Sequence, residues 1–221
     1  MKKIIDKENN YWNKFYEKKI SIEPSQFCLS VIPKIEQNTN IVEFGTGNGR
    51  DAFYFANKGF NTVGIDLSKI AIQNCLLKKE NNSIKNIDFY IGDISNENSI
   101  LESLTYTRNF NGSDTAKIIV YCRFVIHTLD LEQEHLFLSA LSNFLEKNDK
   151  VFFEFRSLQD IETDKHFGND NHFRRYVDSE IFANNIKNIF NFSIDYFETS
   201  KGFAKYNNED PIITRMHITK N

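Results

Sequence analysis

No apolar run in this 221-residue sequence approaches the roughly 18–20 residues that a membrane-spanning helix needs, and the mean hydropathy is −0.47. The first ten residues are polar and charged and lack the apolar stretch of a secretory signal, so the cytoplasm is the expected location. Cysteine is sparse. Cys28, Cys75 and Cys122 lie far apart with no CxxC pair, a pattern that suits reduced thiols and argues against a disulfide frame or a thiolate zinc site. His135, His166 and His217 are scattered, and no acid-rich cluster accompanies them, so no metal is expected. An excess of positive charge is also missing: 27 Lys and Arg stand against 30 Asp and Glu. Duplex or tRNA binding leaves a basic footprint, so a nucleic-acid partner is not expected either. There is no internal repeat and no low-complexity linker.

Phenylalanine is abundant, with 21 residues, and supplies much of a sizeable core. The length fits one α/β domain with a short N-terminal extension. We expect a helical cap over residues 1–33 and the main domain over 34–221, as a monomer or homodimer. Apolar runs of strand length alternate with longer segments of helical period, the pattern of a parallel sheet with crossover helices. Strands are expected at 41–44, 62–65, 87–91, 117–122 and 150–155. Helices are expected at 50–58, from a cap at Ser68 to Lys79, and at 96–104, 131–145 and 179–190. Gly59 closes the first of these helices. Residues 108–114 read as a polar loop and 159–171 as a charged one. The segments 192–199 and 212–218 are expected to pair as a terminal hairpin.

The sharpest signal is Ile41-Val42-Glu43-Phe44-Gly45-Thr46-Gly47-Asn48-Gly49-Arg50-Asp51. A buried strand runs into three glycines and then a helix, so backbone can approach a ligand with no Cβ in the way. The G-x-G-x-G spacing is one residue shorter than the dinucleotide fingerprint, whose pyrophosphate sits on a helix N-terminus. Glu43, just before the first glycine, attracts a cationic ammonium or sulfonium and repels a pyrophosphate. Asp66 ends the second strand about twenty residues on, where an acid accepts ribose hydroxyls. Asp93 ends the third strand, where it can accept an adenine amine while the Ile94 N–H meets a ring nitrogen.

On these residues the chain resembles the class I S-adenosylmethionine-dependent methyltransferases over nearly its whole length. The resemblance implies a Rossmann-like, seven-stranded, mostly parallel sheet of order 3-2-1-4-5-7-6 with an antiparallel last strand and helices on both faces. It implies S-adenosyl-L-methionine as cofactor, with S-adenosyl-L-homocysteine as product. The cofactor set it implies is Glu43, Gly45, Thr46, Gly47, Asp66, Leu67, Asp93, Ile94 and Cys122, joined by Tyr11 and Tyr16 from the N-terminal lid.

Residues that align an acceptor belong above the fourth and fifth strands. There the sequence reads Tyr121-Cys122-Arg123-Phe124-Val125-Ile126-His127 and, later, Glu154-Phe155-Arg156 and His172-Phe173-Arg174-Arg175-Tyr176. His127 is the first choice for a general base or acceptor-orienting group; the alternative is a histidine at a helix start, satisfied in packing. Arg123, Arg156, Arg174 and Arg175, with His172 and Tyr176, suit recognition of a phosphate or carboxylate. The alternative for the arginines is a solvated face paired with nearby aspartates. A looser likeness to methyltransferases of bacterial capsule and surface-polysaccharide gene sets implies a small, anionic, phosphorylated or sugar-derived acceptor. An RNA or protein methyltransferase, a catalytically silent cofactor-binding subunit and an NAD-binding oxidoreductase stay open as alternatives.

Overall fold

The computed structural model describes residues 23–112, 116–162, 174–205 and 209–221. Seven strands form one sheet: β1 (Thr39–Phe44), β2 (Asn61–Asp66), β3 (Ile87–Ile91), β4 (Lys117–Arg123), β5 (Lys150–Arg156), β6 (Phe192–Ser200) and β7 (Ile213–Lys220). Their order is β3-β2-β1-β4-β5-β7-β6, as expected. The first five are parallel, and β7 runs antiparallel to both β5 and β6.

The central strands are apolar on both faces because both faces are covered. Val42, Val120 and Phe153 point to one side with α4 (Glu97–Arg108), α5 (Leu131–Phe144) and α6 (Ser179–Asn188), through Leu104, Phe137 and Phe182. Their strand neighbours Ile41, Tyr121 and Phe152 point to the other side. That side carries α1 (Gln26–Val31) and α2 (Arg50–Asn57), which pack Phe27 and Phe55 there, and α3 (Lys69–Asn81), which packs against α2 and β3 through Ile72 and Cys75. The three cysteines are buried and unbonded to one another.

Helix starts follow capping chemistry. Ser68 accepts from the Ala71 N–H, Asp130 forms a reciprocal box with Gln133, and Asp178 accepts from Glu180 and Ile181. Most boundaries shift by a residue or two, and two segments differ more from the sequence reading. The helix expected to stop at Leu104 continues to Arg108, whose guanidinium reaches buried Asp149 at 2.5 Å and the Ala116 carbonyl at 3.1 Å. Those distant partners hold a last turn that local pattern alone does not demand. The loops expected after Arg108 and after Leu158 each contain a 3₁₀ turn, Phe110–Gly112 and Leu158–Glu162. Asp160, read as a charged loop residue, is fully buried, bonding Arg156 and the Ile212 N–H.

His217 on β7 sits among the rings of Phe27, Phe152 and Tyr196, with its Nε2 buried and unbonded among the described residues. Burial, reinforced by Lys34, Arg215 and Lys150, lowers its pKa to about 3. The unfolded chain therefore takes up a proton near pH 6.5 that the fold refuses, and stability falls as pH drops from about 6.5 toward 3. We expect His217→Phe to lose less stability than the parent between pH 6 and 4, read from urea midpoints. Parallel curves would show that His217 does not carry this acid limb.

Candidate functional site

The three glycines turn the chain from β1 into α2 with φ of +73°, +55° and +71° at Gly45, Gly47 and Gly49. The bend is tied to β2: Gly45 N–H and Thr46 N–H both donate to the Ile65 carbonyl, at 2.8 and 3.0 Å. A Cβ on Gly45 would lie 2.3 Å from the Val125 Cγ2, so glycine is what lets the bend touch the segment leaving β4. The glycine bend and the segment leaving β4 are thus in direct contact.

Asp66 closes β2 with both carboxylate oxygens engaged. Oδ2 accepts from the Gly47 N–H at 2.8 Å and Oδ1 from the Ser68 N–H at 2.8 Å. Burial raises its pKa, against the pull of these backbone donors. A carboxylate has about four acceptor sites, so the grip orients Asp66 and leaves capacity for hydroxyl donors. Asp93, two residues beyond β3, accepts from the Ser95 N–H and hydroxyl at 2.8 and 2.6 Å. Next to it lies a cavity of about 350 Å³ lined by Leu67, Ile91, Gly92, Asp93, Asn96 and Ser99, among others. Ile94 is half-buried, against the main core.

Glu43 does not stand open beside the bend. It is buried and accepts from the Thr46 hydroxyl at 2.7 Å and from the Ala52 N–H. Burial first, and the Asp51 carboxylate second, push its pKa well above the ordinary carboxylate range. Cys122 is fully buried in the core with Phe44 and Val125. Tyr11, Tyr16 and His172 lie outside the described residues.

One buried network went unread in the sequence. Asp51, in the first turn of α2, accepts from the Ser25 N–H at 2.7 Å, the Ser25 hydroxyl at 2.6 Å and the Tyr121 hydroxyl at 2.9 Å. It fastens the start of α1 and the middle of β4 to the helix that leaves the glycine bend. The available signal was Tyr121 itself: a tyrosine inside an apolar strand needs a partner for its hydroxyl.

Beyond β4 the chain makes a left-handed step at Phe124 (φ +57°), whose N–H donates to the Glu154 carbonyl at 2.7 Å. It then enters the 3₁₀ turn Ile126–Thr128. Fully buried Glu154 bridges two arginines, accepting from Arg123 Nε and Arg215 Nε at 2.8 Å each. Arg156 pairs with Asp160 at 2.9 Å, and its other terminal nitrogen lies 3.5 Å from Glu209. Arg175 is a fastener: its N–H donates to the His127 carbonyl, its Nε to the Leu129 carbonyl, and its Nη2 to Glu134. That partner is on α5, not among the aspartates near it in sequence. Arg174 and Tyr176 are half-buried.

His127 is 5% exposed, and its Nδ1 is buried with no hydrogen-bond partner among the described residues. Burial, then Arg174, Arg156, Arg175 and Arg123, lowers its pKa well below 6.5. The imidazole is neutral at neutral pH, with a lone pair available to a proton. All four arginines singled out from the sequence therefore act electrostatically on His127.

A family model for a methyltransferase domain matches residues 35–164, more than half of the chain. The chain belongs to the methyltransferase-domain family. The matched region of this methyltransferase domain holds the glycine bend, Asp66, Asp93 and His127, and ends before Arg174 and the β6–β7 hairpin. No curated protein matches the sequence. Among solved structures, a SAM-dependent methyltransferase from Anabaena variabilis superposes with a TM-score of 0.74 at 16% identity, covering 99% of this chain and 95% of that one. The glycopeptide N-methyltransferase MtfA, complexed with S-adenosyl-L-homocysteine, gives 0.65 at 11% identity, covering 93% and 91%. Magnesium protoporphyrin IX methyltransferase from Synechocystis, with bound SAM, gives 0.58 at 13% identity, covering 88% and 76%. At such identities these likenesses speak for the fold alone. None of the described helices is long and apolar enough to cross a membrane.

Proposed function

We propose that this methyltransferase domain moves a methyl group from S-adenosyl-L-methionine to an oxygen or nitrogen of a small, anionic acceptor. The observation that carries the reading is the joint placement of a glycine bend, Asp66 and Asp93 at the ends of three adjacent strands, with a cavity lined by Leu67 and Asp93 at the last of them. Open parallel sheets bind ligands at that edge. The donor set fits the cofactor: Asp66 keeps acceptor capacity for ribose hydroxyls and Asp93 for an exocyclic amine, while Gly45 and Gly49 let the bend pack closely on Val125 and Cys75. Glu43 and Thr46 act here by shaping the bend. When bound, the cofactor supplies an electrophilic methyl carbon on a sulfonium that leaves as a neutral thioether.

On the acceptor side, His127 takes the proton of the attacking hydroxyl or amine. The surrounding arginines favour an acceptor bearing phosphate or carboxylate, in keeping with a phosphorylated or sugar-derived compound of the surface-polysaccharide kind. The sealed surroundings of His127 keep water from competing for the methyl group.

Calorimetry checks the cofactor. S-adenosylhomocysteine is expected to bind and NAD is not; binding of NAD alone would overturn the reading. Asp66→Ala is expected to weaken S-adenosylhomocysteine by about 1–3 kcal/mol, since it strips acceptors from the Gly47 and Ser68 N–H groups as well as from the ribose. An unchanged affinity would remove Asp66 from the ribose site. A mass-spectrometric screen of sugar phosphates and nucleotide sugars for methyl transfer tests the acceptor class.

A further inference from the structure

We propose that the Arg123 guanidinium is the anion receptor for the acceptor, holding its phosphate or carboxylate beside His127, and that the bound anion is what turns His127 into an effective base. The proposal deepens the methyl-transfer reading and rests on it for the chemistry, but the anion site is testable without the methyl donor.

Arg123 is held like a mounted fork. Its Nε is fixed to Glu154 at 2.8 Å, Glu154 is fixed from its other oxygen by Arg215, and the guanidinium lies 4.2 Å over the Phe124 ring. Its two terminal nitrogens make no hydrogen bond to the described residues. Three of the neighbouring cations are spent differently. Arg215 gives its terminal nitrogens to Ser30 and the Phe203 carbonyl, Arg156 faces Asp160 and Glu209, and Arg175 holds Leu129 and Glu134. A planar pair of donors, pinned from behind and stacked on a ring, is the geometry that takes a two-oxygen anion in bidentate fashion.

Phe124 links this fork to His127, whose ring meets it edge-on at 5.5 Å. The charged groups about His127 are Arg123 from β4, Arg156 from β5, and Arg174 and Arg175 from the segment before α6. The carboxylates in the same region, Glu154, Asp160 and Glu134, are each already ion-paired. With no anion present, burial first and then the cations Arg174, Arg156, Arg175 and Arg123 oppose protonation of the imidazole. An oxyanion on Arg123 offsets them. His127 can then take the proton of the acceptor hydroxyl or amine while that atom bonds to the methyl carbon and the carbon–sulfur electron pair leaves with sulfur. Acceptor binding and base strength become one event, so a bound donor meets no effective base until an anionic acceptor arrives.

The test is a histidine NMR titration of the full chain with inorganic phosphate, against chloride at equal ionic strength. The expected result is a rise in the His127 titration midpoint of about one pH unit or more on adding phosphate. Arg123→Gln should abolish that rise and Arg123→Lys should weaken it, with S-adenosylhomocysteine binding used to verify that each variant is folded. A His127 midpoint indifferent to phosphate in the parent protein overturns the proposal, as does a folded Arg123→Gln that responds like the parent. A phosphate response in a protein that ignores S-adenosylhomocysteine would keep the anion site and defeat the methyl-transfer reading instead.

Discussion

Glu154→Ala is expected to lower the free energy of unfolding by about 3–5 kcal/mol, the effect of leaving buried charge uncompensated. Glu154 is fully buried on a central strand and carries two guanidiniums, Arg123 and Arg215, each through its Nε. Arg215 itself is 7% exposed and reaches Ser30 at the end of α1 and the Phe203 carbonyl in the hairpin loop. Removing the carboxylate therefore strands a cation between β5, β7 and α1, and also loosens the mount of Arg123 beneath the acceptor site. Burial raises the Glu154 pKa and the two guanidiniums draw it back, so the stability of the cluster depends on both partners remaining. Urea denaturation measures the effect. A change below about 1 kcal/mol would mean that water reaches the arginines and that the cluster is not a closed one.

His127→Ala is expected to reduce turnover by about 10²–10⁴-fold, the usual contribution of a positioned acid or base, while the affinity for S-adenosylhomocysteine stays within about twofold. The separation follows from placement. His127 lies in the 3₁₀ turn after β4, whereas the residues assigned to ribose and adenine end β2 and β3. Its unbonded, buried Nδ1 and its depressed pKa describe a neutral imidazole in the segment whose Val125 touches the bend. Turnover at the parent level would make His127 a packing residue. Equal loss of turnover and of cofactor affinity would point to a collapsed bend, because Val125 touches Gly45 across the same segment.

Much of this was legible in the sequence, and the reasons are local. The glycine bend, the two strand-end aspartates and the order of elements follow from residue types at fixed spacing, which backbone geometry dictates without distant partners. The same holds for the caps at Ser68 and Asp130. What stayed hidden depends on contacts distant in sequence. Nothing in Ser25-to-Phe27 announces that Ser25 bonds Asp51 and Tyr121. Likewise the role of Arg175 is set by Glu134, 41 residues away. Glu154 and Arg156 stand two residues apart on β5, but their partners Arg215 and Asp160 come from β7 and a buried turn. Glu43 accepts from the Thr46 hydroxyl and the Ala52 N–H, contacts that its place in the motif does not announce.

A crystal structure with S-adenosylhomocysteine bound tests the central claim most directly. The account predicts the ribose hydroxyls on Asp66, the adenine amine at Asp93 beside Leu67, and the sulfur facing the turn that carries His127. A ligand seated away from the β1–β2–β3 strand ends, or an Asp66 carboxylate that keeps only its Gly47 and Ser68 contacts, would contradict it.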